Sequence, residues 1–211
     1  QWVIEDRFAG PRPEWERGGA LFTDDGGVVV YPTDSCYALG CHLGDKKAME
    51  RLLAIRQIDL KHHLTLVCAD LSSLASYARV DNAQFRLLKA ATPGSFTFIL
   101  EASKEVPRRV SHPQRKTIGL RVPEHRALQE LLALHAAPLL ATTLILPGEE
   151  LPLNDPEQIR DQLEHQIAAV VDAGACPLEP TTVVDLTPMG QGDDPVLVRR
   201  GRGALDTLGL A

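Results

Sequence analysis

Short apolar runs rich in β-branched residues alternate along this chain with helical patterns, several of them introduced by an aspartate. Only a sheet covered by helices satisfies both patterns at once, so the expected class is mixed α/β with one twisted open sheet. Strands are expected over residues 27–31, 64–68, 95–100, 117–122, 138–142, 167–172, 182–186 and 196–199. Asp45, Asp70 and Asp81 each precede a helical spacing of apolar residues, as N-caps do. Asp155-Pro156 opens another helix with proline at its first position, where no amide donor is needed. A further helix follows Pro123 and carries Leu128, Leu131 and Leu132. The segment 95–100 partly alternates and is expected to keep one side in water. The stretch 190–194 is expected to be a flexible turn.

No break in this alternation has the composition of a linker, so a single domain over 1–211 with its core at about 19–200 is expected. Four cysteines without CxxC spacing predict buried free thiols in a reducing cytoplasm rather than disulfides or a zinc site. Seven histidines are scattered, and the adjacent His62-His63 pair cannot easily share a metal, so no protein-held metal is expected. Arg7, Pro11, Arg12, Pro13 and Arg17 interrupt any leader-like apolar core, and no run reaches the length of a membrane span. Neither a leader nor a membrane partner is expected.

The valine run 28–30 ends in Tyr31-Pro32-Thr33-Asp34-Ser35. Pro32 ends the strand, because it cannot donate to the ladder. Three short polar side chains then make an ordinary turn the better reading of the peptide alone. Ligands in open α/β sheets do bind beyond strand carboxyl ends, however. Charge adds to the second reading. The net charge is −6, so any phosphate contact must come from a local basic patch. Such groups occur at Arg56, Lys61, His62 and His63, at Arg121, and at Arg199, Arg200 and Arg202, several beside strand ends. Arg108-Arg109 reads as a solvated face. If the strand-end groups converge with Thr33, they form a cationic pocket suited to an anion. Neither a Walker loop nor Gly-x-Gly-x-x-Gly is present to cradle phosphates in the usual way.

These segments, taken in order, resemble the YrdC-like family of threonylcarbamoyl-adenylate synthases, specifically its YciO branch. The resemblance rests on Val28-Val29-Val30-Tyr31-Pro32-Thr33-Asp34-Ser35, Arg56-Gln57, Thr92-Pro93-Gly94-Ser95-Phe96-Thr97, and Thr117-Ile118-Gly119-Leu120-Arg121-Val122-Pro123. Thr142-Thr143-Leu144-Ile145 and Pro180-Thr181-Thr182-Val183-Val184-Asp185 complete it. The resemblance implies a sheet with a positively charged concave face. It also implies a nucleotidyltransferase that joins L-threonine, bicarbonate and ATP with Mg²⁺, releasing pyrophosphate, for modification of tRNA. By motif position, Thr33, Thr117, Arg121 and Thr181 would contact threonine, with Arg121 on its carboxylate. Arg56, Thr143 and Arg199 would face the phosphates, and Lys61 and His62 join them by charge. Arg56 and Lys61 would be the catalytic cations. In this picture Thr33 is presented to the pocket by a turn that Asp34 and Ser35 shape.

Four positions depart from the family pattern. Arg56-Gln57-Ile58 stands for Lys-x-Arg, Thr143-Leu144-Ile145 for Ser-x-Asn, Val67 for a histidine, and Asp34 for a glutamate. A lost charge-assisted phosphate contact forfeits roughly 1.5–3 kcal/mol, so adenylation is expected to be weak unless Lys61 substitutes. The alternative is a double-stranded RNA or tRNA binder that uses the same concavity without chemistry. An aromatic content of 5% argues against single-strand stacking platforms.

Overall fold

The structure, a computed structural model, describes residues 2–5 and 27–210. The leader expectation, resting on Arg7 to Arg17, and the proposed start of the core at 19 lie outside these residues. In chain order the described elements are β1 (Trp2–Glu5), β2 (Val28–Tyr31), β3 (Ala38–His42), α1 (Lys46–Arg56), β4 (Thr65–Val67), α2 (Leu71–Tyr77) and α3 (Asn82–Ala91). There follow β5 (Phe96–Glu101), β6 (Thr117–Arg121), α4 (Arg126–His135), β7 (Leu139–Thr143), α5 (Pro156–Leu163), β8 (Ala169–Asp172), β9 (Thr182–Asp185) and β10 (Val196–Arg199). Two 3₁₀ turns cover Thr187–Gln191 and Leu205–Leu208.

The strands form one mixed sheet in the order β1-β8-β2-β3-β7-β4-β6-β5-β9-β10. The four aspartates cap as expected. Asp45 accepts Ala48 N–H at 3.0 Å, Asp70 accepts Ser73 N–H at 2.7 Å, and Asp155 accepts Glu157 N–H at 2.8 Å. Asp81 forms a reciprocal box with Gln84, which also donates to the Leu186 carbonyl at 2.8 Å. That bond ties α3 to the far end of β9.

Side chains alternate across the sheet and sort into two cores. On one face Val28, Val30, Leu39, Leu66, Phe98, Leu120, Leu140 and Val184 pack with residues of α1, α2, α3 and α5. On the other face Val29, Tyr31, Val67, Leu139 and Ala169 pack beneath Leu128, Leu131 and Leu132 of α4. A single helix covers only part of that second face. Beyond it, β4, β5, β6 and β7 present Thr65, Thr97, Gly119, Thr117, Arg121 and Thr143, small or polar residues out of phase with the first core. This is the hollow.

Three expectations change. Residues Phe96 to Leu100 are buried on both sides, leaving only Glu101 in water, because Thr97 and Ile99 face the floor of the hollow. β3 was not expected, since Ala38 and Gly40 have weak strand preference. Gly40 is required there: a Cβ would sit 2.4 Å from Tyr31 Cε1 on the neighbouring strand. The region expected to be a flexible turn begins inside the 3₁₀ turn Thr187–Gln191, which Gly192 ends with φ near +87°. No helix among the described residues is long and apolar enough to cross a membrane.

Candidate functional site

The polar turn after β2 brings both Thr33 and Asp34 to the lining of a cavity. Thr33 is buried, and its hydroxyl donates to the Cys36 carbonyl at 2.7 Å. The same oxygen accepts the amides of Ser35 and Cys36 at 3.0 and 3.1 Å. Its hydrogen-bonding capacity is thereby used within the turn. Thr33 thus closes the loop as well as lining the cavity, and Asp34 reaches across to Arg121. Asp34 Oδ1 accepts from Arg121 Nη2, and Oδ2 accepts Ser95 Oγ–H at 3.1 Å and Glu124 N–H at 3.2 Å.

Arg121 ends β6 on the hollow face and is buried almost completely. Its Nη1 donates to Ser35 Oγ at 3.3 Å, while its buried Nε has no partner among the described residues. Beside this pair lies a cavity of about 380 Å³ lined by Thr33, Asp34, Ser95, Glu124, Cys176 and Arg202, among others. Cys36 marks where the cations gather. Burial pushes its thiol up to about 11, against the opposing charges of Arg121, Arg199 and Arg202. All four cysteines are buried free thiols.

A second group stands at the end of α1. Arg56 is half-buried, burial lowers its pKa, and its Nε has no partner among the described residues. His62 joins it to Arg199: crowding by protein, then the charges of Arg56 and Arg199, hold the imidazole below its ordinary value. Arg199 is aimed by Thr181, whose carbonyl accepts Nε at 3.2 Å and Nη2 at 2.9 Å. Thr181 Oγ1 in turn meets Thr97 Oγ1 at 2.8 Å.

Arg56 and Arg199 thus lie within electrostatic reach of His62, and Arg121 and Arg199 within reach of Cys36, with Thr181 as the support of Arg199. Thr143 ends β7 on the same face, opposite Ala38 in the ladder, and is half-buried. Lys61 is different. It is exposed, its backbone amide donates to Asp59 Oδ1 at 2.8 Å, and among the described residues no contact joins its side chain to an arginine. Thr117 opens β6 four residues before Arg121, about 13 Å away along the strand and on the same face. Its hydroxyl meets His63 Nε2 at 2.8 Å.

Asp34 as the anchor of Arg121, Ser95 behind it, and Arg202 in the cavity were not singled out from the sequence. Only the loop path that carries Asp34 across the sheet reveals the first two. Arg202 lay within the basic group 199–202, and that was its signal.

Residues 22–201 match the Sua5–YciO–YrdC family model, described as telomere recombination. The chain belongs to the Sua5/YciO/YrdC family. It is 53% identical to the Escherichia coli uncharacterised protein YciO over 178 residues, 84% of each chain. The crystal structure of E. coli YciO superposes with a TM-score of 0.87 over 98% of both chains, at 46% identity. A threonylcarbamoyl-AMP synthase of Vibrio vulnificus is 33% identical over 149 residues, 69% of this chain and 79% of that one. P. abyssi Sua5, solved with L-threonine, shares the fold at 24% identity and a TM-score of 0.82, over 95% of this chain and 58% of that chain. Within this family fold, Ile58 packs against the main core, and Ile145 is half-buried beside Thr143.

Proposed function

We propose that the hollow binds L-threonine and ATP and supports nucleotidyl transfer of the threonylcarbamoyl-AMP synthase type. The observation that carries this reading is the buried Asp34–Arg121 ion pair, whose Asp34 lines the cavity with Thr33 and Arg202.

The Asp34–Arg121 pair offers both signs of charge to an amino-acid zwitterion, with the ammonium on Asp34 and the carboxylate on Arg121. The adjoining cavity of about 380 Å³ has room for a small side chain. Arg56, Arg199 and His62 then face the phosphates, with Thr143 at their edge. A carbamate formed on threonine from bicarbonate attacks the α-phosphorus, and these cations spread the charge of departing pyrophosphate. Mg²⁺ arrives with ATP and is held mainly by its phosphates. Among the described residues no cluster of His, Cys, Asp and Glu is arranged to hold a metal by itself. The adenylate would supply threonylcarbamoyl for tRNA modification in the cytoplasm, where buried thiols stay reduced. With Ile58 turned to the core and Ile145 offering no amide, the transfer is slow.

Calorimetric titration with threonine and MgATP, followed by pyrophosphate release with bicarbonate, tests the reading. Binding of both ligands, lost in Arg121→Gln for threonine and in Arg56→Gln for ATP, is expected. Absence of binding at millimolar ligand overturns it. Exposed Arg108, Arg109, Arg115 and Lys116 favour a second reading, RNA bound with the help of this basic segment. It requires tRNA affinity that falls steeply with salt in a gel shift.

A further inference from the structure

The contacts assigned to threonine and phosphate leave His63, which is bonded to Thr117 on the hollow face of β6, without a task. His63 follows His62 in the connection from α1 to β4 and is half-buried. Its Nε2 lies 2.8 Å from Thr117 Oγ1, and its ring packs on His112 with centroids 4.9 Å apart. His112 is fixed in turn. Its Nδ1 accepts the amides of Gln114 and Arg115 at 3.3 and 3.2 Å, which places its proton on Nε2. His63 is thus pinned through one nitrogen and one ring face, while Nδ1 has no partner among the described residues. Around it stand His62, His112 and Arg115, with Asp185 opposing them. Burial first, then His112 and Arg115, keep the imidazole below its ordinary pKa and so neutral at pH 7.

A neutral imidazole anchored at one nitrogen and open at the other has the form of a general base. Adenylate synthesis has no work for a base at this place. The carbamate oxygen that attacks phosphorus is already an anion. The proton that threonine's ammonium must shed lies at the Asp34–Arg121 end, about 13 Å along β6. Water at the phosphate cluster is the nucleophile that would need one.

We propose that His63, positioned by Thr117, directs water onto a phosphoric anhydride held by Arg56, His62 and Arg199, so that the hollow is a hydrolase. The inference rests on the nucleotide reading above. In the step, the water oxygen bonds to phosphorus and its proton passes to His63 Nδ1. The bridging P–O bond breaks, and its electron pair leaves with the bridging oxygen. In a nucleoside triphosphate the departing oxygen belongs to a phosphate; in a carbamoyl-adenylate, a mixed carbamic–phosphoric anhydride, it belongs to the carbamate, which leaves as AMP forms.

The test uses the full chain with MgATP and neither threonine nor bicarbonate, following phosphate and ADP release. A second arm follows the decay of threonylcarbamoyl-adenylate made in place by an active synthase. Turnover is expected in at least one arm, rising with pH through a pKa below 6.5 and level at neutrality. His63→Gln should lower it about 100-fold with ATP affinity within about twofold by calorimetry. Thr117→Val should lower it less and move the acid limb of the pH profile, which a merely structural role would leave in place. If ATP binds but neither anhydride is cleaved, or His63→Gln keeps full turnover, the hydrolase inference fails and the nucleotide reading stands. If ATP does not bind, both fall.

Discussion

Replacing Asp34 with asparagine keeps the side-chain volume and removes the charge that answers Arg121. The two side chains are only 11% and 9% exposed, so water cannot take over as the counter-charge. Breaking a buried pair by removing one partner costs about 3–5 kcal/mol, much of it the penalty of the charge left behind. Asparagine still accepts one hydrogen bond through Oδ1, and Ser95 and Glu124 keep a polar neighbour, which places the expected loss near 3 kcal/mol. At roughly 2–4 °C per kcal/mol for a chain of this length, the melting temperature falls by about 6–12 °C. Urea unfolding at pH 7 measures the loss as a shift in midpoint at constant slope. Arg121→Met and the double substitution complete a cycle. The double variant should recover most of the loss, because no charge is then stranded. A loss below about 1 kcal/mol for Asp34→Asn, or strict additivity in the cycle, would refute the idea that this pair is buried and mutually dependent.

His135, whose Nε2 lies 3.1 Å from His42 Nδ1, is held down to about 4 by burial and then by His42. Unfolded it titrates near 6.5, so stability is full above that value and is lost as pH falls through 4. The full shift would be worth about 3 kcal/mol, reduced to about 1–2 for a half-exposed ring. Urea midpoints between pH 7.5 and 4 should show the fall, and His135→Gln should flatten it; an unchanged slope would count against the assignment. Gln84→Ala removes both the reciprocal cap of α3 and the bond to Leu186, for an expected loss of about 2–3 kcal/mol by urea unfolding. Gly201→Ala would set a Cβ 2.3 Å from the Pro180 carbonyl oxygen and 2.6 Å from that of Thr181, the acceptor that aims Arg199. Its signature is ATP affinity reduced at least tenfold while threonine affinity holds, measured by calorimetry.

Much of the fold is legible in the residues because the forces that make it are local. The aspartates at 45, 70, 81 and 155 cap their helices through bonds spanning two or three residues. Valines from 28 to 30 mark a strand covered on both faces without reference to any partner. β3 stayed hidden because its reason for existing, the space that Gly40 leaves for Tyr31, belongs to the neighbouring strand.

For the site, the chain's own chemistry determined which cations were available and that several stood near strand ends. Tertiary structure alone decided their use. It brought Asp34 to Arg121 across 87 residues of sequence, and it turned the Thr33 hydroxyl inward to close its own loop. It also left Lys61 in water and set Thr117 beside His63. The physical reason is one of range: caps and strand patterns depend on near neighbours, whereas a charge's role depends on whichever distant group packing places within about 4 Å of it.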